Sequence, residues 1–496
     1  LHRAKIAVDE GGPVSDTVAR RDAGRTVTER RRGLPEHWVV FSIAAVSVFM
    51  MSFDSTLVPI ALVDIGRGVG ETAPSKISWI VTTYTITMAS CLVAVGRIGD
   101  RKGRRTTFMI GLGVFVAGSV LGMAAPNFAV LLVARSLQGL GAAFVFPSSL
   151  ALVLAVWPKD ESTRVIALWT AVGAVAGALG PSIGAGLVDW LGWRSAFFLH
   201  VPVGVIALVR TLGVRVDTEK RAVGSMPDIA GIGLAAVTLG AAALVLAQGR
   251  SWGFTDPFVL GSVAVVLLLG PVVWWRCNHH PAPIVEPALF RLRTYRRTAA
   301  LSIVIPAGIF ANFSMMPQFL KRVWGYSTFQ SGLAIVPFSV AASLTAIGVV
   351  RWSKRTDERT ILLVGLTMML GTMVFLRFVP TEQAHYWTHF FPAVLMAGVG
   401  GWGIGLSMMN GIGARELDAS NYGVGVAILM TARQCGALAG IATAFGILGD
   451  TSEVGAAALD QLHEVWLFLI PVFAFALALA WRIPRRPPRI LEGATA

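Results

Sequence analysis

Apolar residues run through this chain in blocks of about twenty, long enough as helices to cross a hydrocarbon core of about 30 Å. Short stretches between the blocks hold nearly all of the charge. Fourteen blocks can be marked, near 38–61, 78–97, 106–124, 128–150, 165–188, 195–213, 228–248, 257–276, 298–319, 331–350, 360–378, 390–413, 422–449 and 464–482. Runs of this length predict helices rather than strands, and no connection is long enough to house a soluble domain. The fold class that follows is an all-α polytopic membrane protein.

Composition agrees with the pattern. The chain has 496 residues, of which 54% are hydrophobic and 14% charged, against roughly 25% charged in soluble domains. Its net charge of +14 would suggest nucleic acid on a soluble protein, but here the charge sits in the loops, so membrane topology explains it and no nucleic-acid partner is expected. The three cysteines, Cys91, Cys277 and Cys435, show neither metal-type nor CxxC spacing, and neither a metal nor another cofactor is expected.

The distribution of arginine and lysine sets the orientation. With an arginine-rich N-terminus inside, the inner loops hold about twenty basic residues and the outer loops about six. GRIGDRKGRR, RVDTEKRAVG, FRLRTYRRT and RWSKRTDER fall inside; only KRVWGYS, near residue 321, falls on the wrong side. Both termini are therefore expected in the cytoplasm, with the protein multi-pass in the plasma (inner) membrane. Residues 1–37, which include RRDAGRTVTERRRG, are expected to be a disordered tail. The first apolar block is too long for a signal-peptide core and is expected to be an uncleaved anchor.

Topology explains why GRIGDRKGRR (96–105) is basic, but not its single acid or its glycine spacing. With the following TTF it resembles G-x-L-a-D-r-x-G-r-k, the cytoplasmic signature of major facilitator superfamily transporters, matching at Gly96, Ile98, Asp100, Arg101, Gly103, Arg104 and Arg105. Gly103 suits a tight turn, and Asp100 suits a helix N-terminus. The resemblance implies a latch joining two halves of the molecule.

Three more stretches are similar to the fourteen-segment drug:proton antiporters of that superfamily, the QacA/EmrB type. FDSTLVPIAL (53–62) resembles lDxTvvnvALP at Asp54, Thr56, Ala61 and Leu62, departing at Pro59 and Val63. ARSLQGLGAA (134–143) resembles RxxQGxGaA at Arg135, Gln138, Gly139, Gly141 and Ala143. GALGPSIGAGLVDWLGWRSAFF (177–198) resembles the antiporter motif around GPxxGG, with Ala185 for one glycine. The resemblance implies two six-helix bundles at 38–214 and 298–482, a linker at 215–297 carrying two extra helices, a tail at 483–496, and a cavity between the bundles.

Charge within a span is costly, so each such residue is a functional candidate. Asp54, Arg135 and Arg433 lie inside blocks, whereas Asp189, Asp228 and Asp450 lie at edges. Asp54 is expected to carry the coupling proton, with Arg135 and Gln138 tuning it. Gly173, Gly177, Gly180, Pro181 and Gly184 give the fifth helix a close-packing, bendable face. Cavity candidates are Trp79, Tyr84, Trp169, Asn312, Met315, Gln318, Met409, Asn410, Arg433 and Gln434, whose aromatic, sulfur and amide groups suit varied lipophilic molecules.

The ninth and tenth blocks contain no Asp or Glu. The expected cargo is accordingly neutral or monocationic lipophilic compounds, such as drugs and dyes, exchanged for protons by a monomer among membrane lipids. Export of a native lipid, siderophore or antibiotic is the alternative. An ATP-driven pump is not expected, since the sequence has no GxxxxGK[ST] loop. A metalloprotease is not expected because HEVWL lacks the second histidine, and no acid/His cluster recurs within the spans.

Overall fold

The structure, a computed structural model, describes residues 35–158, 161–214, 228–249, 252–280, 287–353, 355–414, 422–449 and 453–485. The expected N-terminal tail lies almost wholly outside these residues, as do Asp450, most of the expected C-terminal tail and parts of the 215–297 linker. The regular secondary structure among the described residues is helical. Joining consecutive pieces, and leaving aside the short helices Pro74–Ile77 and Pro287–Arg291, gives fourteen rods among them: α1 (Glu36–Gly68), α2 (Trp79–Lys102), α3 (Arg104–Ala124), α4 (Phe128–Val156), α5 (162–191), α6 (Ser195–Leu212), α7 (Ile229–Gln248), α8 (Pro257–His279), α9 (Arg293–Arg322), α10 (Thr328–Trp352), α11 (Glu358–Phe378), α12 (386–414), α13 (Tyr422–Leu448) and α14 (Ala456–Trp481).

Among the described residues, eleven helices are long and apolar enough to cross a membrane. The apolar runs of α2, α5 and α7 are shorter: Trp79–Leu92, Ser182–Leu191 and Gly233–Ala242.

Polar caps punctuate the apolar pattern. Asn127 Oδ1 accepts the Val130 N–H to start α4, Asp228 does the same for Gly231 in α7, and Ser327 and Gln330 close a capping box on α10. Gly103, at φ +88°, makes the α2–α3 junction, a conformation that a side chain would strain. The sequence expectation of a tight glycine turn there agrees with this geometry.

Helices α1–α6 pack on one another and α9–α14 on one another, with glycines at the closest approaches. A Cβ on Gly139 would stand 2.3 Å from the Tyr84 carbonyl oxygen, and one on Gly440 1.9 Å from that of Ala307. Two seams join the groups, α2 against α13 and α5 against α10. Helix α7 lies beside the first seam, touching both α2 and α13. Helix α8 pairs with α7 and leaves most of its surface uncovered by protein. An Arg276–Asp228 ion pair at 2.6 Å ties the two together.

Candidate functional site

Charge deep among apolar helices must be matched, and Asp54 on α1 meets Arg135 on α4. Arg135 Nη1 donates to both carboxylate oxygens, at 2.9 and 3.0 Å, and both side chains are at most 2% exposed. The same guanidinium gives Nε to the Ile80 carbonyl at 2.9 Å and Nη1 to Gln138 Oε1 at 2.8 Å. Gln138 Nε2 in turn donates to Ser119 Oγ, which donates to the Phe115 carbonyl. The Arg135 guanidinium lies 4.6 Å from the centre of the Tyr84 ring. Asp54, Arg135 and Gln138 thus form one buried network.

Beside it sits His200, which the sequence reading missed. It is buried at the start of the long part of α6, with neither ring nitrogen hydrogen-bonded and its ring edge-on to Phe115 and Phe53. A single histidine a few residues into an apolar block gives little sequence signal; the fold packs its ring against Phe53 and Phe115, beside the network.

The fifth-helix glycines face α1 around Asp54. A Cβ on Gly180 would fall 2.1 Å from Thr56 Oγ1, and one on Gly184 2.8 Å from Leu57. Gly180–Gly184 is a π-helical turn, a local widening that a proline-containing, side-chain-poor segment accommodates. The Gly177 carbonyl accepts from Ser339 on α10, at 2.9 Å across the seam. The backbone at Pro181 lies in the π turn; its side chain is outside the described set.

Between the two groups of helices is a cavity of about 310 Å³. Asp54, Tyr84, Arg135, Trp169, Gly173, Gly177, Arg433 and Gln434 line it, so the structure brings the candidates Tyr84, Trp169, Arg433 and Gln434 to one space. Gln434 Nε2 approaches Met88 Sδ at 3.2 Å, across the α2–α13 seam.

Four expected cavity residues are elsewhere, and one more is displaced. Asn312, Met315 and Gln318 are buried within the α9–α14 group, away from the cavity wall. Met409 is also buried outside that wall, and Trp79 stands at the start of α2 beyond it. Their helices are right, but the faces are wrong, because an all-apolar helix carries no amphipathic stripe to say which side faces inward. The Asn410 side chain lies outside the described set.

Instead the far wall is aromatic, with Phe310, Phe313, Phe338 and Trp402 ring to ring at 5.3–5.6 Å. Trp402 projects from a glycine-rich π-helical stretch, Gly398–Leu406 (GVGGWGIGL). A lone aromatic among glycines was the available signal for it.

At one end of the molecule, Arg104 Nη1 donates to the Ala151 carbonyl, and Arg105 donates to those of Thr211 and Leu212. These two arginines fasten α3 to the ends of α4 and α6 within one group. Gly96, Asp100 and Arg101 form the last turns of α2, with nothing beyond their backbone described.

At the opposite end the two groups are clasped. Lys321 Nζ donates to Asp64 Oδ2 at 2.6 Å and to Thr328 Oγ1 at 2.7 Å, and Thr328 Oγ1 also bonds Asp64. Asp189 Oδ2 accepts the Phe329 N–H at 2.8 Å. Lys321, which broke the orientation pattern, is therefore matched by an acid.

The family model described as Major Facilitator Superfamily matches residues 44–441. The chain is 30% identical over 464 residues to the methylenomycin A resistance protein of Streptomyces coelicolor, covering 92% of this chain and 94% of that protein. It is 31% identical over 426 residues to the multidrug resistance protein Stp of Mycobacterium tuberculosis, covering 85% of this chain and 74% of that protein. The fold is similar to that of the human organic anion transporter MFSD10, with a TM-score of 0.59 at 12% identity, covering 90% of this chain and all of that one. Two packed helix groups around a central cavity, with a family match over most of the chain, make this protein a multi-pass member of the Major Facilitator Superfamily: a membrane transporter and not an enzyme.

Proposed function

We propose that this chain is a proton-coupled efflux antiporter of lipophilic compounds, of the fourteen-segment drug-antiporter type, working by alternating access. The observation that carries the reading is the buried Asp54–Arg135 pair opening onto the cavity between the two helix groups. The names of the methylenomycin A and multidrug resistance relatives support efflux. In this reading all fourteen rods cross the bilayer, the Gly103 end and both termini are cytoplasmic, and the Asp64 clasp faces out. Residues 38–214 and 298–482 are then the moving halves, with the 96–105 segment latching them.

The chemistry follows from the network. A proton on Asp54 cancels its charge and removes the reason for α1 to hold α4 at this point. Arg135 keeps the Ile80 carbonyl and Gln138 as hydrogen-bond acceptors when the pair opens, although its charge then has no counter-ion. A carboxylate with two such environments takes up a proton in one and yields it in the other. The Gly180–Gly184 turn lets α5 follow α1 without side-chain obstruction. The aromatic wall and hydroxyl-bearing opposite face accept varied lipophilic bodies.

Purified protein in liposomes under an imposed pH gradient tests the reading against a panel of lipophilic dyes and native lipids. Proton movement that appears only with a transported compound, and is lost in Asp54→Asn, is the expected result. Compound flux indifferent to the gradient would overturn it.

A further inference from the structure

The two arginines that line the cavity are treated differently by the protein. Arg135 is bonded to a backbone carbonyl, an amide and a carboxylate, and rests against an aromatic face. Arg433 has no hydrogen bond or ion pair among the described residues, and its Nε is buried without a partner. Asp54 is the sole carboxylate among the residues lining the cavity, and Arg135 already holds both of its oxygens. A guanidinium stays protonated at any physiological pH. The cavity therefore holds two positive charges against one negative.

A guanidinium whose Nε is buried among apolar helices without a partner is costly to hold there. Helix α13 nevertheless presents one to the space where cargo would sit. We infer that Arg433 is an anion-recognition site, and that the cavity takes lipophilic acids: apolar, ring-bearing bodies carrying one carboxylate or sulfonate, held bidentately by the Arg433 fork. This rests on the reading that the cavity holds the cargo, and it names the cargo's charge. It also revises the expectation of monocationic cargo, which counted Asp54 as the cavity's deciding charge. A cation in this space would face Arg433 with no free carboxylate to receive it.

The geometry suits this role. Planar guanidinium forks match the two oxygens of a carboxylate. The facing wall of Phe338 and Trp402, with Trp169 on the other side, supplies apolar area for the body of the molecule. Ser339 and Ser343 on α10 add hydroxyls to the same cavity.

The test compares three ligands of one scaffold by calorimetry on the full-length protein in detergent at neutral pH: 1-naphthylacetate, its neutral amide and 1-naphthylmethylamine. The carboxylate is expected to bind roughly ten- to hundredfold more tightly than the amide, with the ammonium weakest. Arg433→Gln should erase that advantage while amide binding persists, which also shows that the variant is folded. A wild-type protein with no preference for the carboxylate, or a preference that survives Arg433→Gln, would overturn the site. If that variant binds neither ligand, Arg433→Lys decides. A smaller carboxylate advantage with amide affinity held supports the fork, and an undiminished one rejects it. Proton flux in Asp54→Asn reports on coupling alone and leaves the carboxylate–amide comparison untouched, so the two readings fail independently.

Discussion

Asp54 has a structural part in the site and, in the proposed reading, a chemical one, and substitutions can separate them. Removing one partner of a buried pair leaves the other uncompensated, at a cost of about 3–5 kcal/mol. Asp54→Asn should therefore lower the thermal unfolding temperature in detergent as well as abolish proton-driven flux. Adding Arg135→Gln, which removes the stranded charge, should recover most of the stability and none of the coupling. Recovery of flux in the double variant would reduce the pair to a structural tie. These two residues were legible in the sequence because charge within an apolar run is rare and expensive. Trp402 and Phe313 were not, since an aromatic side chain in an apolar helix has the same local pattern whether it meets a cavity, a neighbour or lipid. Asn312 and Gln318 misled for a related reason: polarity marks them as unusual, but their helix face is fixed by neighbours far away in sequence.

At the scale of helices, close approaches decide which substitutions the fold tolerates. A Cβ at Gly440 would meet the backbone of α9, which cannot yield, whereas one at Gly180 would meet chiefly the Thr56 hydroxyl. Gly440→Ala should be the more damaging of the two in thermal unfolding. Gly180→Ala should cost about 1–3 kcal/mol and be partly relieved by Thr56→Ala. Equal damage from both alanines would contradict these contacts. The α7–α8 pair has a different dependence, set by Asp228 outside the apolar runs. Burial raises its pKa, but the Gly231 N–H and the Arg276 guanidinium outweigh that and hold it below the ordinary carboxylate range. The tie is therefore fully present above the unperturbed value of about 3.9, and is lost as pH falls through the depressed value. Asp228→Asn should make protease nicking between α7 and α8 faster at neutral pH and remove its acid dependence below about pH 4. The helices themselves were readable from block length. Their pairing was not, because uniform apolar surfaces fit many neighbours and the glycines that select one do so only in three dimensions.

The whole molecule is closed at the Asp64 end and holds its cavity between seams that tie α2 to α13 and α5 to α10. Opening that end requires breaking the Asp64–Lys321–Thr328 cluster and the Asp189–Phe329 bond, while the α3 anchors made by Arg104 and Arg105 stay within one helix group and need not change. In the proposed alternating-access reading, this clasp is exchanged for a closure at the Gly103 end. A partly buried charge-assisted cluster of this kind contributes about 1–2 kcal/mol, enough to shift a two-state balance roughly five- to thirtyfold. Asp64→Asn should raise the population open at this end by that factor, read as a longer distance between spin labels placed on the first turn of α10 and the last turn of α1. The same substitution should leave the distance between labels at the far ends of α3 and α6 unchanged, because Arg105 holds those helices together independently. An unaltered distance across the clasp would mean that the halves are held closed by the apolar seams alone, and that Lys321 and Asp64 serve only to neutralise one another.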